Sequence, residues 1–248
     1  MLSCLDGSAQ AGAVRADPDA VLRRAREPVL LDEWQEVPEV LGAVKRAVDA
    51  DPHPGRFLLT GSLRAQLDQP MWPATGRVVS LRMYGLTERE VGGLTSTTGP
   101  SFIDKLSTAD AAAIDLPAEV PDIAGYLEAG IDDILGDADL LGRFFDTFAM
   151  CQLRPEVALA KRPPYLSHLR DRNGRHEIDL LANFGRRGVV AIEFKAKSAP
   201  AAADAAHLYW LREQLGDKFL AGAVIHAGPS PYQLAERVVA VPLCAAWA

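Results

Sequence analysis

Two short apolar runs, each stopped by polar residues and separated by one amphipathic stretch, constrain this chain more than any other feature. The first is Pro28 to Leu31, followed by Asp32 and Glu33; the second is Phe57-Leu58-Leu59-Thr60, closed by Gly61. Between them Val37, Val40, Leu41, Val44, Ala47 and Val48 recur at a helical period, so Pro38 to Ala50 reads as a helix with proline near its first turn. Asp51, Pro52, His53, Pro54 and Gly55 end it. A strand covered on both faces has no polar side to alternate with, so it shows up as a continuous apolar run. Strand, helix, strand in this length closes as two parallel strands with a right-handed crossover. The chain is therefore read as α/β. Asp17, Pro18 and Asp19 suit the start of a helix through about Arg26, and Arg77 to Met83 is a predicted third strand.

A length of 248 residues allows one large or two small domains. Hydrophobic residues at 48% and charged residues at 24% exclude a disordered or collagen-like chain. No apolar run approaches the roughly 18 residues of a membrane span, so no membrane partner is expected. The first residues lack a basic segment before an apolar one, and no signal peptide is read. Cys4, Cys151 and Cys244 are far apart and fit neither a metal-ligand spacing nor a disulfide framework, which suits a cytoplasmic location. The net charge of −7 is unevenly spread: Tyr84 to Asp139 holds twelve acids and two bases, Arg154 to Lys197 ten bases and five acids. A basic segment in an acidic chain is either a nucleic-acid footprint or a solvated face.

From Gly92 to about Leu116 the chain is rich in Gly, Ser and Thr and reads as loop, and residues 117–136 read as a weak acidic helix. Leu140 to Leu153 carries an apolar stripe of Leu141, Phe144, Phe145, Phe148 and Ala149. Tyr165 to Arg170 alternates as a strand, Asn173-Gly174 is a hairpin turn, and His176 to Ala182 returns. Gly185 to Gly188 turns the chain into a strand over Val189 to Lys195. A helix over Ala201 to Leu215 and strands over Phe219 to Ile225 and Arg237 to Val241 follow, giving the order α-β-β-β-α-β-β.

Val29-Leu30-Leu31-Asp32-Glu33 places two carboxylates at a strand's C-terminal end, the edge where open α/β sheets bind ligands. Thr60, Gly61 and Ser62 end the next strand, where a polar side chain can reach a phosphate or a water. These residues, LDEWQEVPEVLGAVKRAVDADPHPGRFLLTGS followed by GRVVSLRMYGLTERE, resemble the prokaryotic AAA-type ATPases fused to a C-terminal nuclease-like domain. The resemblance runs from about Asp17 to Val91. It implies that Asp32 and Glu33 are the Walker B pair and that Thr60 or Ser62 is the sensor; Arg77 matches a family arginine. The family's P-loop has no counterpart: no Gly-Lys dipeptide occurs in the sequence, so the backbone cradle and lysine that bind polyphosphate are missing and ATP is not an expected cofactor. The stretch from Tyr126 to Leu140 is also too short for the family's winged-helix segment. An abbreviated member is the expectation.

The second constellation is Glu177-Ile178-Asp179 and, after a Gly-rich turn, Glu193-Phe194-Lys195. Residues two apart in a strand share a face. Neighbouring strands that bring Asp179, Glu193 and Lys195 together offer hard oxygen ligands for Mg²⁺ beside an ammonium. HEIDLLANFGRRGVVAIEFKAKS resembles the PD-(D/E)XK nuclease superfamily, and the αβββαβ order agrees with that fold. The resemblance covers about Leu140 to the C-terminus. It implies Asp179, Glu193 and Lys195 as catalytic residues, with Asp146 on the preceding helix joining Asp179 and Glu193 around the metal. His168, His176 and His226 are read as packed or surface residues, and His207, Tyr209 and Trp210 as packing rather than groove.

The expected organisation is thus an incomplete P-loop-type core over 1–95, a linker with an acidic helical segment over 96–137, and a PD-(D/E)XK-like domain over 138–248. The expected function is that of a DNA-associated protein with a Mg²⁺-dependent nuclease-like module. An ATP-binding module and an inactive remnant are the alternatives. No protein partner is indicated.

Overall fold

The computed structural model describes residues 2–4, 9–61, 77–93, 99–123, 125, 138–171 and 173–248. They fall in two compact units, Met1–Arg82 and Met83–Ala248.

The first unit is a parallel three-stranded sheet of β1 (Leu2–Cys4), β2 (Val29–Asp32) and β3 (Phe57–Thr60), in that spatial order. Helices α1 (Ala9–Ala16) and α2 (Pro18–Arg24) connect β1 to β2, and α3 (Val40–Ala50) connects β2 to β3. The expected strand-helix-strand unit is present, with Leu30 opposite Leu58 and Asp32 opposite Thr60. Asp17 caps α2 by accepting the Ala20 N–H at 2.9 Å. Val29, Leu31, Trp34, Val37, Val40 and Val44 form the core with Ala11, Val14 and Leu22 from the first two helices. Arg46 grips Asp19 through two nitrogens, at 2.9 and 2.6 Å, and ties α3 to α2.

Two expectations need correcting here. Arg77 to Met83 is not a strand: Val79, Leu81 and Met83 are 85%, 83% and 84% exposed. Alternation supplies one apolar edge, but a strand also needs a hydrogen-bonded neighbour, and none pairs with this segment among the described residues. The third strand is instead Leu2–Cys4, which the sequence does not announce because three residues are too few to carry a period.

The second unit is a six-stranded mixed sheet in the order β4-β5-β6-β7-β9-β8. Its strands are β4 (Tyr165–Arg170), β5 (Glu177–Asn183), β6 (Val189–Lys195), β7 (Phe219–His226), β8 (Tyr232–Ala235) and β9 (Val238–Pro242). β4, β5 and β6 run antiparallel in sequence, β6, β7 and β9 are parallel, and β8 pairs antiparallel with β9. Sequence reading missed β8, whose four residues are only partly covered. One core layer packs Phe145, Ala149 and Leu153 of α6 (Ala138–Leu159) with Leu180, Ile192, Phe194 and Ile225. The other packs Leu208 and Leu211 of α7 (Ala206–Leu215) with Ala191, Phe219 and Val224.

Met83–Val91 and Phe102–Leu106 also belong to this unit. The segment read as loop holds α5 (Phe102–Leu106), whose Phe102, Ile103 and Leu106 are buried in the α6-side layer. Ser101 and Asp104 cap it reciprocally, as Thr87 and Glu90 cap α4 (Glu88–Val91). Buried Glu156 accepts from Phe102 N at 3.1 Å and from Arg89 Nη1 at 3.2 Å, which fastens both short helices to α6. Of the acidic helix expected over 117–136, residues 117–122 are not helical, and most of the rest lies outside the described residues. Among the described residues no helix is long and apolar enough to cross a membrane.

Candidate functional site

Two acidic constellations emerge, one in each unit. In the first, Asp32 ends β2 and Thr60 ends β3 directly beside it, and Thr60 Oγ1 donates to Asp32 Oδ1 at 2.5 Å. Glu33 follows with φ 54°, a left-handed conformation that costs a β-substituted residue roughly 1 kcal/mol or more. That turn starts a short 3-10 helix over Trp34–Glu36 and lets Gln35 Nε2 donate to Glu33 Oε2. Gly61 leaves room for this amide: a Cβ there would clash with Gln35 Oε1. Both carboxylates therefore have an uncharged donor. Gln35 was not singled out from sequence, and nothing in its spacing marks it. Ser62 lies outside the described residues.

The second constellation forms at the paired ends of β5 and β6, which the Gly185–Arg187 turn places side by side. Gly174 and Gly185 both hold φ 65°, which glycine adopts without a side-chain clash. Asp179 Oδ2 accepts the Phe194 N–H at 2.8 Å across the two strands. Glu193 is buried, its side chain only 5% exposed, and Lys195 Nζ donates to its Oε2 at 3.2 Å. Glu193 Oε1 is buried with no hydrogen-bond partner. Burial first, then the charge of the Asp179 carboxylate and a hydrogen bond of the protonated Glu193 carboxyl to it, push Glu193 up to about 8 against the pull of Lys195. Asp146, half-buried on α6, is raised to about 6 by burial and by Asp179, again opposed by Lys195. Asp146, Asp179, Glu193 and Lys195 thus share one local field, as their sequence positions lead one to expect. They do not yet form a cage: among the described residues no three His, Cys, Asp or Glu side chains converge to hold a metal ion. The fit to a hard cation rests on the Asp179–Glu193 pair, which has carboxylate oxygens, mutual repulsion and one orphaned oxygen.

His207 is the neighbour that sequence reading passed over as packing. It is the second residue of α7, its Nδ1 lies 2.6 Å from Glu177 O, and the same nitrogen is 3.7 Å from Glu193 Oε1. His176 meets the His207 ring edge-on, with centroids 5.7 Å apart, and stacks flat on Trp210 at 4.0 Å. The other histidines match their reading. His168 is exposed on β4, and His226 is fully buried, its Nδ1 accepting from Gly228 N and its imidazole pushed down to about 4 by burial. Arg170, Arg186 and Arg187 are exposed, and Arg172 lies outside the described residues.

Residues 141–246 match the family model described as a domain of unknown function, DUF4143. Residues 3–92, which carry Asp32, Glu33 and Thr60, match the family model described as an AAA domain. The chain has no match among curated proteins or among solved structures. Over residues 3–92 the chain is thus similar to the AAA-type domain family.

Proposed function

We propose that the second unit is a PD-(D/E)XK-like module that hydrolyses phosphodiester bonds in DNA with Mg²⁺, carried on an ATPase-related first unit. The observation that supports this most is the buried Glu193 carboxyl. It faces Asp179, keeps one oxygen unpartnered, and has Lys195 on the other. A structural acid buried this deeply is normally satisfied by donors on both oxygens. An ion between Asp179 and Glu193 would satisfy the orphaned oxygen and remove the repulsion, with Asp146 closing in as a further ligand. Once bound, Mg²⁺ would activate water and offset charge on the phosphate. Lys195 would orient that water or neutralise the phosphate, and exposed Arg170, Arg186 and Arg187 would hold the backbone of the nucleic acid.

Mg²⁺ or Mn²⁺ at millimolar concentration is expected to raise the melting temperature of the second unit, since a ligand that binds only the folded state stabilises it. Asp179→Asn, which keeps an acceptor for Phe194 N and removes the charge, is expected to abolish that rise. DNA binding is expected to fall steeply with salt. Unchanged melting with both metals, together with no DNA binding at low salt, would replace this reading with that of an inactive remnant.

A second reading, an ATP-binding module, draws on the AAA-type match over residues 3–92. Asp32 and Glu33 alone cannot attract a polyphosphate, because like charges repel without an intervening metal. Calorimetric titration of the 248-residue chain with Mg-ATP is expected to show no micromolar binding. Tight binding that vanishes in Asp32→Ala would favour the ATP reading.

A further inference from the structure

We propose that His207 is a positioning residue of the Asp179–Glu193 metal site, an inference that rests on the metal reading above. Two contacts fix its ring. The Glu177 carbonyl can only accept, so the 2.6 Å contact requires His207 Nδ1 to carry the proton and sets the tautomer. His176 packs against the ring from the side and is itself held by its stack on Trp210. The N-terminal turn of α7 supplies the backbone. So fixed, Nδ1 stands 3.7 Å from Glu193 Oε1, too far to hydrogen bond and near enough to exclude other donors. The result is a carboxylate clasped on one oxygen by Lys195 and bordered on the other by a donor already committed to a carbonyl. His207 thereby keeps Oε1 without a donor while Asp179 acts on the same carboxyl group. An alanine there would leave a gap beside the buried carboxyl group, and Glu193 could turn into it.

Groups that orient a metal's carboxylate ligands, without touching the metal, typically change affinity by about ten- to a hundredfold when removed. The test is Mn²⁺ binding by calorimetry on the full chain, with the metal-free melting temperature measured alongside. His207→Ala is expected to weaken Mn²⁺ roughly tenfold. His207→Asn, whose amide can donate to the Glu177 carbonyl from the same place, is expected to recover most of that loss, which a purely structural role would not produce. In the wild type, Mg²⁺ is expected to shift the ¹⁵N resonances of the His207 ring, and Asp179→Asn to remove the shift. These resonances carry the test if His207→Ala fails to fold. Wild-type Mn²⁺ affinity retained in both His207 variants overturns the positioning role and leaves the metal site standing. Failure of the wild type to bind Mn²⁺ overturns both.

Discussion

Each unit ends a strand in carboxylates beside a polar partner from the neighbouring strand, yet the two acid groups are in opposite states. Asp32 and Glu33 are half-buried, and each accepts from an uncharged side chain, Thr60 and Gln35 respectively. Glu193 is buried, has a donor on one oxygen only, and is held up to about 8 by desolvation and by Asp179. The first pair is satisfied by its own unit. The second carries a free-energy cost that an ion would relieve, so the second unit is where added metal should be felt. The sheets differ in the same sense. Among the described residues β3 is an edge strand with Leu58 56% exposed, whereas β6 is central and Val190, Ala191 and Ile192 are fully buried.

The largest effect expected is on cleavage. Lys195→Met should remove any Mg²⁺-dependent cutting of branched or single-stranded DNA, at least about a hundredfold, while preserving the metal-induced rise in melting temperature. The reason is that Lys195 touches Glu193 from outside the Asp179 pair and would act on water and phosphate rather than hold the ion. Loss of the metal response together with cleavage would instead make Lys195 part of the scaffold that holds Glu193.

Next comes packing. Ile192→Ala in β6 is expected to destabilise the second unit by about 2–5 kcal/mol, the usual cost of a buried Ile or Leu truncation. Leu58→Ala in β3 should cost under about 1 kcal/mol, because more than half of that side chain is already in water. Denaturant unfolding of both variants checks the contrast. Equal losses would mean that β3 is covered in solution.

Much of this contrast was legible in the sequence. Continuous apolar runs announced β2, β3, β6 and β7, and the Asn173-Gly174 turn announced the β4–β5 hairpin, though not the shift in its register between Ser167 and Leu169. Asp179, Glu193 and Lys195 could be placed together because alternation within strands and the hairpin count decide which residues meet. Short elements were not legible. β1, β8 and α5 have three to five residues, less than a full period of any pattern. For α5 the reciprocal Ser101–Asp104 cap was a usable local signal, obscured by the Gly, Ser and Thr content just before it. His207 was hidden for another reason. Its importance lies in a contact between α7 and the start of β5, 30 residues away, and no periodicity within either element reports it.

The pH dependence of stability comes third in size. The unfolded Glu193 titrates near 4.5 and the folded one near 8, so between these values the folded state holds a proton that the unfolded state has released. Stability of the metal-free protein therefore falls as pH rises through this window and levels off above about 8. Asp146 acts in the same sense, but only below about 6. His226, whose folded value is near 4 against an ordinary 6.5, acts oppositely below about 6.5, where the unfolded state binds the extra proton. Between pH 6.5 and 8 Glu193 therefore acts without these two, and a loss of order 1 kcal/mol per pH unit is expected. Glu193→Gln should flatten that slope, and so should saturating Mg²⁺, which favours the ionised carboxylate. A slope unchanged in Glu193→Gln would show that another group titrates there.

The smallest effect is expected at the satisfied pair. Thr60→Val keeps the shape of the side chain and removes the hydroxyl that donates to Asp32 Oδ1. In a fully buried site the abandoned carboxylate would cost several kcal/mol, but Asp32 is half-buried at the C-terminal end of β2, where water can replace the lost donor. The expected loss is about 1 kcal/mol, confined to the unfolding of the first unit. Val also suits a strand at least as well as Thr, which offsets part of the loss. Scanning calorimetry with and without Mg²⁺ separates the possibilities. A small loss, insensitive to Mg²⁺, is what an acid pair satisfied by its own unit gives. A loss approaching that of Ile192→Ala, or one that Mg²⁺ restores, would mean that Asp32 is as unsatisfied as Glu193 and that the first unit also holds a cation.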